Sequence, residues 1–420
     1  MKKVLTLTAL STILLSSTAM AAGFHLREQT AAGQGNAYAG ATAGAENNAY
    51  AYYNVAGLTR IKGTQFSGGG TYIAPKATAK NVRAEDGTRG ADVQNVVHAA
   101  VSPYFTISHQ VNDKLTLAFA GNSQFGMITK YDPEWVGSDH GVTSDLKSAL
   151  FTPMAAYKLT DNLSIGAGLN VQYVWAHLTS TTYVDQLQKA YGVKADGDAL
   201  DVGYQLGAMY EFTPETRAGV GYRSKIRHHI KGDMKSDAPG ALGALLNQDI
   251  SVNLNTPAML SLGVYHDIND RWAIMAEYQR VFWSSFQNLT FVSRDGLNNP
   301  QTPGCISSVS EKWRDTNFFA IGTSFMLDEQ WKLRLGLAYD QSAVRVAHRT
   351  PRIPDSDRIW YSVGLGYKYN EHISFDTAFT YIQAHDAHLD TSWTGNRGRN
   401  ITADYANSIK AFTLGFSYNF

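Results

Sequence analysis

The sequence predicts an all-β protein: a transmembrane antiparallel β-barrel of about fourteen strands, with an amino-terminal plug in its lumen. Three observations predict it. The chain opens with an export signal, its turns alternate strictly between short and long, and its strands are apolar at every second residue. Composition narrows the choice. The 420 residues carry no net charge and only 17% charged side chains, so no basic face suggests nucleic acid. Glycine (37) and tyrosine (23) are plentiful, and past residue 22 no run reaches the ~18 apolar residues of a spanning helix.

The export signal is residues 1–21, MKKVLTLTALSTILLSSTAMA. Lys2 and Lys3 precede an apolar run, and Ala19 and Ala21 stand at A-x-A spacing, so cleavage is expected after Ala21. A lone cysteine, Cys305, makes no internal disulfide and reads as an incidental thiol in a surface loop.

Residues 22–62 break the strand pattern. They are rich in Ala, Gly and Asn, and about forty residues is long for a plain leader to a first strand. Phe24, Leu26, Tyr38, Tyr50, Tyr52 and Tyr53 give the segment much apolar surface. A barrel of fourteen strands leaves a lumen that strand side chains do not fill. The segment is therefore expected to fold inside it.

Residues 63–420 carry the barrel. One phrase recurs: VNDKLTLAFA, LTDNLSIGAG, FTPETRAGVG, INDRWAIMAE, LDEQWKLRLG and YNEHISFDTA. Each is a short polar turn between alternating runs, the pattern of a hairpin. Between these turns lie longer connections near 75–94, 131–146, 184–198, 234–248, 294–312, 345–356 and 386–404. An even-numbered meander with tight turns at one end and long loops at the other is the outer-membrane pattern. In LSIGAGLNVQYVW, Leu163, Ile165, Ala167, Leu169, Val171, Tyr173 and Trp175 share one face, while Ser164, Asn170 and Gln172 share the other. Period two alone does not say which face points outward, because a soluble sandwich alternates as cleanly. The signal, the loop asymmetry and the aromatics near strand ends place lipid outside and water inside. The chain must then close on itself, last strand against first, to leave no unpaired edge in lipid.

Two long connections carry apolar residues at helical spacing. Leu242, Leu245 and Leu246 in APGALGALLNQ lie at i, i+3, i+4, and Val184, Leu187 and Tyr191 do the same in VDQLQKAYGV. Two such amphipathic helices would form an apolar capture groove facing the medium. The third strand, LTLAFAGNSQFGMIT, loses its alternation at Asn122, Ser123 and Gln124, and Gly126 follows, which marks a bulge or bend.

AGFHLREQ followed by AAGQGNAYAG, then YNVAGL, YRSKIRHHIKGDM, LNTPAMLSLGVYHDINDRWAIMAEYQRVFWSSFQNL and RIPDSDRIWYSVGLGYKY occur in family order. On these phrases nearly all of the mature chain resembles the FadL-type outer-membrane transporters of long-chain fatty acids and other hydrophobic molecules. The resemblance implies a fourteen-stranded barrel with an amino-terminal hatch, in the outer membrane of a Gram-negative bacterium. It implies no enzymatic activity, no cofactor, no metal and no catalytic residue. The implied partners are a long-chain fatty acid or other hydrophobic small molecule, outer-membrane lipid and lipopolysaccharide, and the barrel-assembly machinery, with the protein as a monomer. Substrate would be captured on the two loops, bound in a high-affinity pocket that Phe24 enters, and released sideways at a kink falling on Gln124, Phe125 and Gly126. Asn54 and Ala56 fall on the family's hatch motif beside that opening, with Val55 in place of its proline, so the turn lacks a fixed φ.

Family members that bind fatty acids hold the carboxylate with basic residues. One such position falls on Ser180, and the other lies near Lys312 and Arg314 in EKWRD. A desolvated carboxylate without a cation is costly. Either His177, Lys312 or Arg314 compensates, or the ligand is less acidic, like the aromatic hydrocarbons some relatives carry. An open porin for small polar solutes is the rival from another class. The histidines of HDAH (385–388) and RHH (227–229) invite a metal reading, but spaced histidines on an exposed strand or loop are a weak signal, and no Ser-His-acid motif marks a hydrolase.

Overall fold

The computed structural model describes residues 23–184, 189–294, 304–394 and 398–420, and the export signal expected at 1–21 lies outside them. Fourteen strands run up and down. In chain order they are β1 (Thr64–Ala84), β2 (Ala100–Gln110), β3 (Leu115–Asn122 and Gly126–Lys130), β4 (Thr143–Lys158), β5 (Leu163–Val184) and β6 (Lys189–Glu211). Then come β7 (Thr216–Arg223 and Ile226–Ser236), β8 (Gln248–Thr256 and Met259–Asn269), β9 (Trp272–Val281 and Asn288–Ser293) and β10 (Cys305–Ser310 and Thr316–Met326). The last are β11 (Trp331–Asp340), β12 (Arg358–Lys368), β13 (Ile373–Ala384 and Ala387–Asp390) and β14 (Ile401–Asn419).

The six short polar phrases are all tight hairpin turns. A side-chain oxygen closes each by accepting backbone N–H groups, as Asn112 does from Lys114 and Leu115, and Asp328 from Gln330 and Trp331. The ring closes where β1 pairs antiparallel with β14, from Gln65 opposite Asn419 to Ala84 opposite Ile401. Burial is inverted relative to a soluble protein. Along β14 the apolar Phe412, Leu414, Phe416 and Tyr418 are exposed, while Thr413 and Ser417 between them are buried. An apolar exterior over a polar interior suits a wall with hydrocarbon outside. No described helix is long and apolar enough to cross a membrane.

Residues 23–62 lie within the ring. Short helices α1 (Ala31–Gly35) and α2 (Ala41–Gly44) and 3₁₀ turns at Asn48–Tyr52 and Val55–Arg60 pack against strands from all around it. The glycine content follows from this packing: a Cβ on Gly336 of β11 would lie 2.1 Å from the Asn36 backbone, and one on Gly207 of β6 would lie 2.1 Å from Asn54 Oδ1. Ion pairs fix the segment to the wall, Arg60 with Glu211 among them. Glu46 pairs with Arg334 (2.8 Å) and Lys332 (3.1 Å), and Arg334 also holds Asp376 (2.8 Å). Arg27 reaches Asp340 (3.1 Å) and Gln279.

The helix expected over Val184, Leu187 and Tyr191 needs correction. Val184 ends β5 and pairs with Lys189, while Tyr191 on β6 pairs with Thr182; Leu187 lies outside the described residues. Thr179, Thr181 and Thr182 with Tyr183 and Val184 are β-branched or aromatic, and they extend the hairpin where the i, i+3 spacing suggested a helix. The other helix is present, as α3 (Gly240–Leu246).

The wall is interrupted at β3. Its pairing with β2 ends at Tyr104 opposite Asn122. Its pairing with β4 jumps from Asn122 opposite Leu150 to Gly126 opposite Lys147, so one extra residue bulges. The upper part of β2, from Ala100 to Pro103, pairs only with β1.

Candidate functional site

Phe24 sits at the foot of an apolar cavity of about 80 Å³. Met127, Leu146, Leu178, Ile230, Val252 and Leu254 line its sides. The Phe24 ring meets Trp283, Trp313, Phe125 and Phe286 at centroid distances of 4.8, 5.6, 5.7 and 6.1 Å, mostly edge to face. Gly23 positions it. Its N–H donates to Asp355 (2.9 Å), its φ is +69°, and a Cβ there would strike Trp313 at 2.5 Å.

Arg352, Glu311, Ser144 and Asp196 are the polar side-chain residues along the cavity. The Arg352 guanidinium donates to Thr143 O (2.9 Å), Ser144 Oγ (2.8 Å) and Thr179 O (3.0 Å), and no carboxylate of a described residue pairs with it. Burial draws its pKa down to about 10, with Glu311 opposing, so the group stays cationic at neutral pH. Burial pushes the Glu311 carboxyl up to about 7, against the indole N–H of Trp313 (3.0 Å) and the charge of Arg352. These groups lie above the lipid belt. The outward apolar residues of β9 and β10 give way there to a polar rim, with Arg280 paired to Asp315 (3.1 Å) and Tyr278 bonded to Asn317 (2.9 Å).

The residues singled out from the sequence divide. Phe24 lines the cavity, but His177 does not: its neighbours Ala176 and Leu178 do, and its ring bonds Asp196 (2.6 Å), a residue of the cavity wall. Lys312 is exposed, and Arg314 turns to Asp357 (3.5 Å) and Ser342 O (3.1 Å). In EKWRD the buried, inward residues are Glu311 and Trp313, and the two cations alternate away. Ser180 lies on β5, opposite Val193. Leu242 and Leu246 are half-buried and Leu245 is exposed; Leu246 packs on a cluster of Ala195, Met234 and Ile250, two of which line the cavity.

Gln124, Phe125 and Gly126 stand at the break in β3, and the amino-terminal segment fills it. Leu26 N–H donates to Gln124 O (2.8 Å), Gly126 N–H donates to Phe24 O (2.9 Å), and Gln29 bonds Ser123 O (2.6 Å) and Asn122 (3.0 Å). The first residues of the segment therefore serve the cavity and the break together. Asn54 and Ala56 lie elsewhere. Asn54 accepts from Ala56 N–H (3.0 Å) and donates to Thr42 O (2.8 Å) and Ala208 O (3.0 Å), against the glycines of β5 to β7. Sequence reasoning did not find Arg352, Glu311, Trp283 or Trp313. The aromatic run VFWSSF interrupting β9 was a visible signal for Trp283 and Phe286; nothing in HRTPRIPD distinguishes Arg352 from its neighbours.

A family model described as "Outer membrane protein transport protein (OMPP1/FadL/TodX)" matches residues 12–420. The chain belongs to this family. It is thus an outer-membrane transport protein of a family of transport channels, not an enzyme. Family relatives include outer membrane protein P1 of Haemophilus influenzae, 28% identical with 99% of this chain and 98% of the relative covered. The long-chain fatty acid transport protein of Escherichia coli O6:H1 is 28% identical over 98% and 97%. The 47 kDa outer membrane protein of Pasteurella multocida is 30% identical over 90% and 91%. Among solved structures, a Pseudomonas aeruginosa FadL homologue superposes with TM-score 0.87 at 24% identity, covering 95% of this chain and all of the other. The Pseudomonas putida toluene transporter TodX gives 0.67 at 19%, covering 89% and 94%. At such identities the two structures support the fold.

Proposed function

We propose that this family member carries long-chain fatty acids across the outer membrane. The observation that carries the reading is one cavity with apolar walls and an Arg352 that no carboxylate among the described residues pairs with. An alkyl chain gains about 0.8 kcal/mol per CH₂ buried among such residues. A carboxylate head set against the guanidinium avoids the cost of an unpaired buried charge. The relatives named as long-chain fatty acid transport proteins support the same substrate class.

In this reading residues 1–21 are removed on export, 22–62 form the hatch, and 63–420 form the barrel. The mature protein is a monomer inserted by the barrel-assembly machinery among lipid and lipopolysaccharide. Substrate is captured at α3, with Leu242, Leu245 and Leu246, and passes along the Leu246 cluster into the cavity. There it displaces Phe24. Because Phe24 and Leu26 share a backbone with the residues that close the break in β3, that displacement frees Gln124–Gly126 and opens a sideways path into the bilayer. The ion pairs of Glu46 and Arg27 meanwhile keep the hatch seated, which disfavours an open porin.

The aromatic lining and the likeness to toluene transporters favour a second reading, an aromatic hydrocarbon as cargo. Uptake by cells lacking their own transporter separates the two. Expression of this chain is expected to restore uptake of labelled oleate; restoration of toluene uptake without oleate uptake would replace the first reading with the second.

A further inference from the structure

A second irregularity lies in the wall, between β6 and β7. Pairing runs from Val193 opposite Ser236 to Asp198 opposite Lys231, and resumes one residue out of step at Gln205 opposite Arg223. Between these points side chains supplement the ladder: Ser224 N–H still donates to Tyr204 O (2.8 Å), while Ser224 Oγ accepts from Tyr204 N–H (2.9 Å) and Asp201 Oδ2 from His229 N–H (3.3 Å). From this point a chain of hydrogen bonds crosses the interior to the break in β3. The fully buried His228 places Nδ1 3.2 Å from Asp201 Oδ2 and Nε2 2.9 Å from Gln172 Oε1. Gln172 Nε2 donates to Gln124 Oε1 (3.0 Å). Gln124 in turn accepts the backbone N–H of Leu26.

Both ring nitrogens of His228 face acceptors. Thr256 Oγ1 stands 3.4 Å from the same Gln172 oxygen and 3.4 Å from Ile226 O, and shares its one proton between them. The arrangement is therefore satisfied by an imidazolium, with Asp201 as its counter-charge. If the ring loses a proton, Nδ1–H keeps Asp201 and Nε2 becomes an acceptor. The Gln172 amide must then turn over to donate, and the Gln124 amide must turn with it. Charge-assisted hydrogen bonds are roughly twice as strong as neutral ones, so the chain is tightest in the charged form.

We propose that Asp201, His228 and Gln172 are positioning residues for the kinked strand: they hold Gln124, and through it the hatch, when His228 is charged, and loosen it when His228 is neutral. The groups facing the ring are Asp201 from β6, Gln172 from β5 and Thr256 from β8. On β7 itself His229 turns to Asn253 (2.6 Å), and Arg223 to Asn170 (3.2 Å) and Tyr52 O (2.7 Å). The hatch contributes His25, its ring 5.5 Å from that of Phe125. Burial, with Arg27 and Arg223 nearby, holds His25 well below the ordinary range, so it stays neutral.

The proposal takes the break in β3 as the exit, as above, so one arm of its test needs no transport. Hydrogen exchange at residues 24–26 and 124–126 of the purified protein, corrected for intrinsic rates, is expected to rise on the order of tenfold between pH 4.5 and 7. His228→Gln should flatten that rise, Asp201→Asn should move it to lower pH, and His25→Gln should leave it in place. In cells, uptake of a long-chain alcohol, which does not itself titrate, should follow the same profile. A flat wild-type exchange profile, a rise that survives in His228→Gln, or one lost in His25→Gln would overturn the proposal. If His228→Gln fails to give a heat-modifiable barrel, the Asp201→Asn shift decides. A correct exchange profile with flat uptake would instead fault the reading of the break as the exit.

Discussion

The Phe24 ring stands 4.8 Å from that of Trp283, edge to face, at the foot of the cavity. The same residue's carbonyl accepts the Gly126 N–H at the break in β3. One residue thus senses the cavity and closes the wall.

Phe24→Ala removes the ring from this aromatic cluster. Truncating a buried phenylalanine costs about 3–5 kcal/mol, here borne by the amino-terminal turns and not by the barrel. The heat-modifiable barrel is expected to persist while proteolysis near residues 23–30 accelerates. The ligand-induced change in fluorescence from Trp283 and Trp313 should vanish; an unaltered titration would remove Phe24 from the binding step.

Arg352→Gln keeps hydrogen bonding and removes the charge. A hydrogen bond to a charged group contributes about 1.5–3 kcal/mol, so oleate affinity should fall about 10- to 100-fold. Affinity for a long-chain alcohol should change little. Equal losses for both ligands, measured calorimetrically, would reduce Arg352 to a structural role.

Glu311 makes binding and stability depend on pH. Burial raises its carboxyl from 4.5 to about 7, so the folded protein holds a proton there that the unfolded chain releases. Its neutral form favours folding below about pH 4.5, and that advantage declines as pH rises to 7. The change is about 3 kcal/mol by the linkage relation. Glu28, which burial also raises to about 7, adds to the same window. Denaturation midpoints followed from pH 4 to 8 should fall less steeply in Glu311→Gln than in wild type. Oleate binding by that variant should hold up better above pH 7, since no second carboxylate then forms in the cavity.

Leu245 is the exposed apolar residue of α3, whereas Leu246 is packed. Leu245→Ser should therefore slow initial capture at low oleate concentration without shifting the thermal transition. The triple replacement of Leu242, Leu245 and Leu246 should also loosen the hairpin below. Wild-type capture by the triple variant would exclude this helix as a docking point.

Glu46 ties the plug to β11. Burial alone would raise its carboxyl, but Arg334 and Lys332 more than offset this and hold it far below the usual range. Glu46→Ala leaves Arg334 short of a partner in a buried site, a change that costs about 3–5 kcal/mol. Planar-bilayer recordings should show small conductance for the wild type and frequent large openings for the variant. Equal, large currents from both would favour an open pore.

Alternation of Phe412 to Phe420, the six polar turns and the glycine-rich strands were legible in the sequence because they are local. Each follows from period-two geometry, from Asx and Thr side chains bonding neighbouring N–H groups, or from a lipid-facing stripe. The break at Asn122–Gly126 was legible for the same reason. The site was legible only in part. Phe24 came through resemblance, but Lys312, Arg314 and His177 were chosen for their charge, and charge says nothing about the face on which a side chain lands. The irregular link between the two parts of β10 buried Glu311 and Trp313 and left Lys312 and Arg314 more exposed. Arg352 reached the cavity through a long loop folding back over the barrel, and a loop's path depends on contacts hundreds of residues apart. Short-range order was thus set by the chain itself; which charges met the substrate was decided by packing, because burial and pairing are properties of neighbours in space.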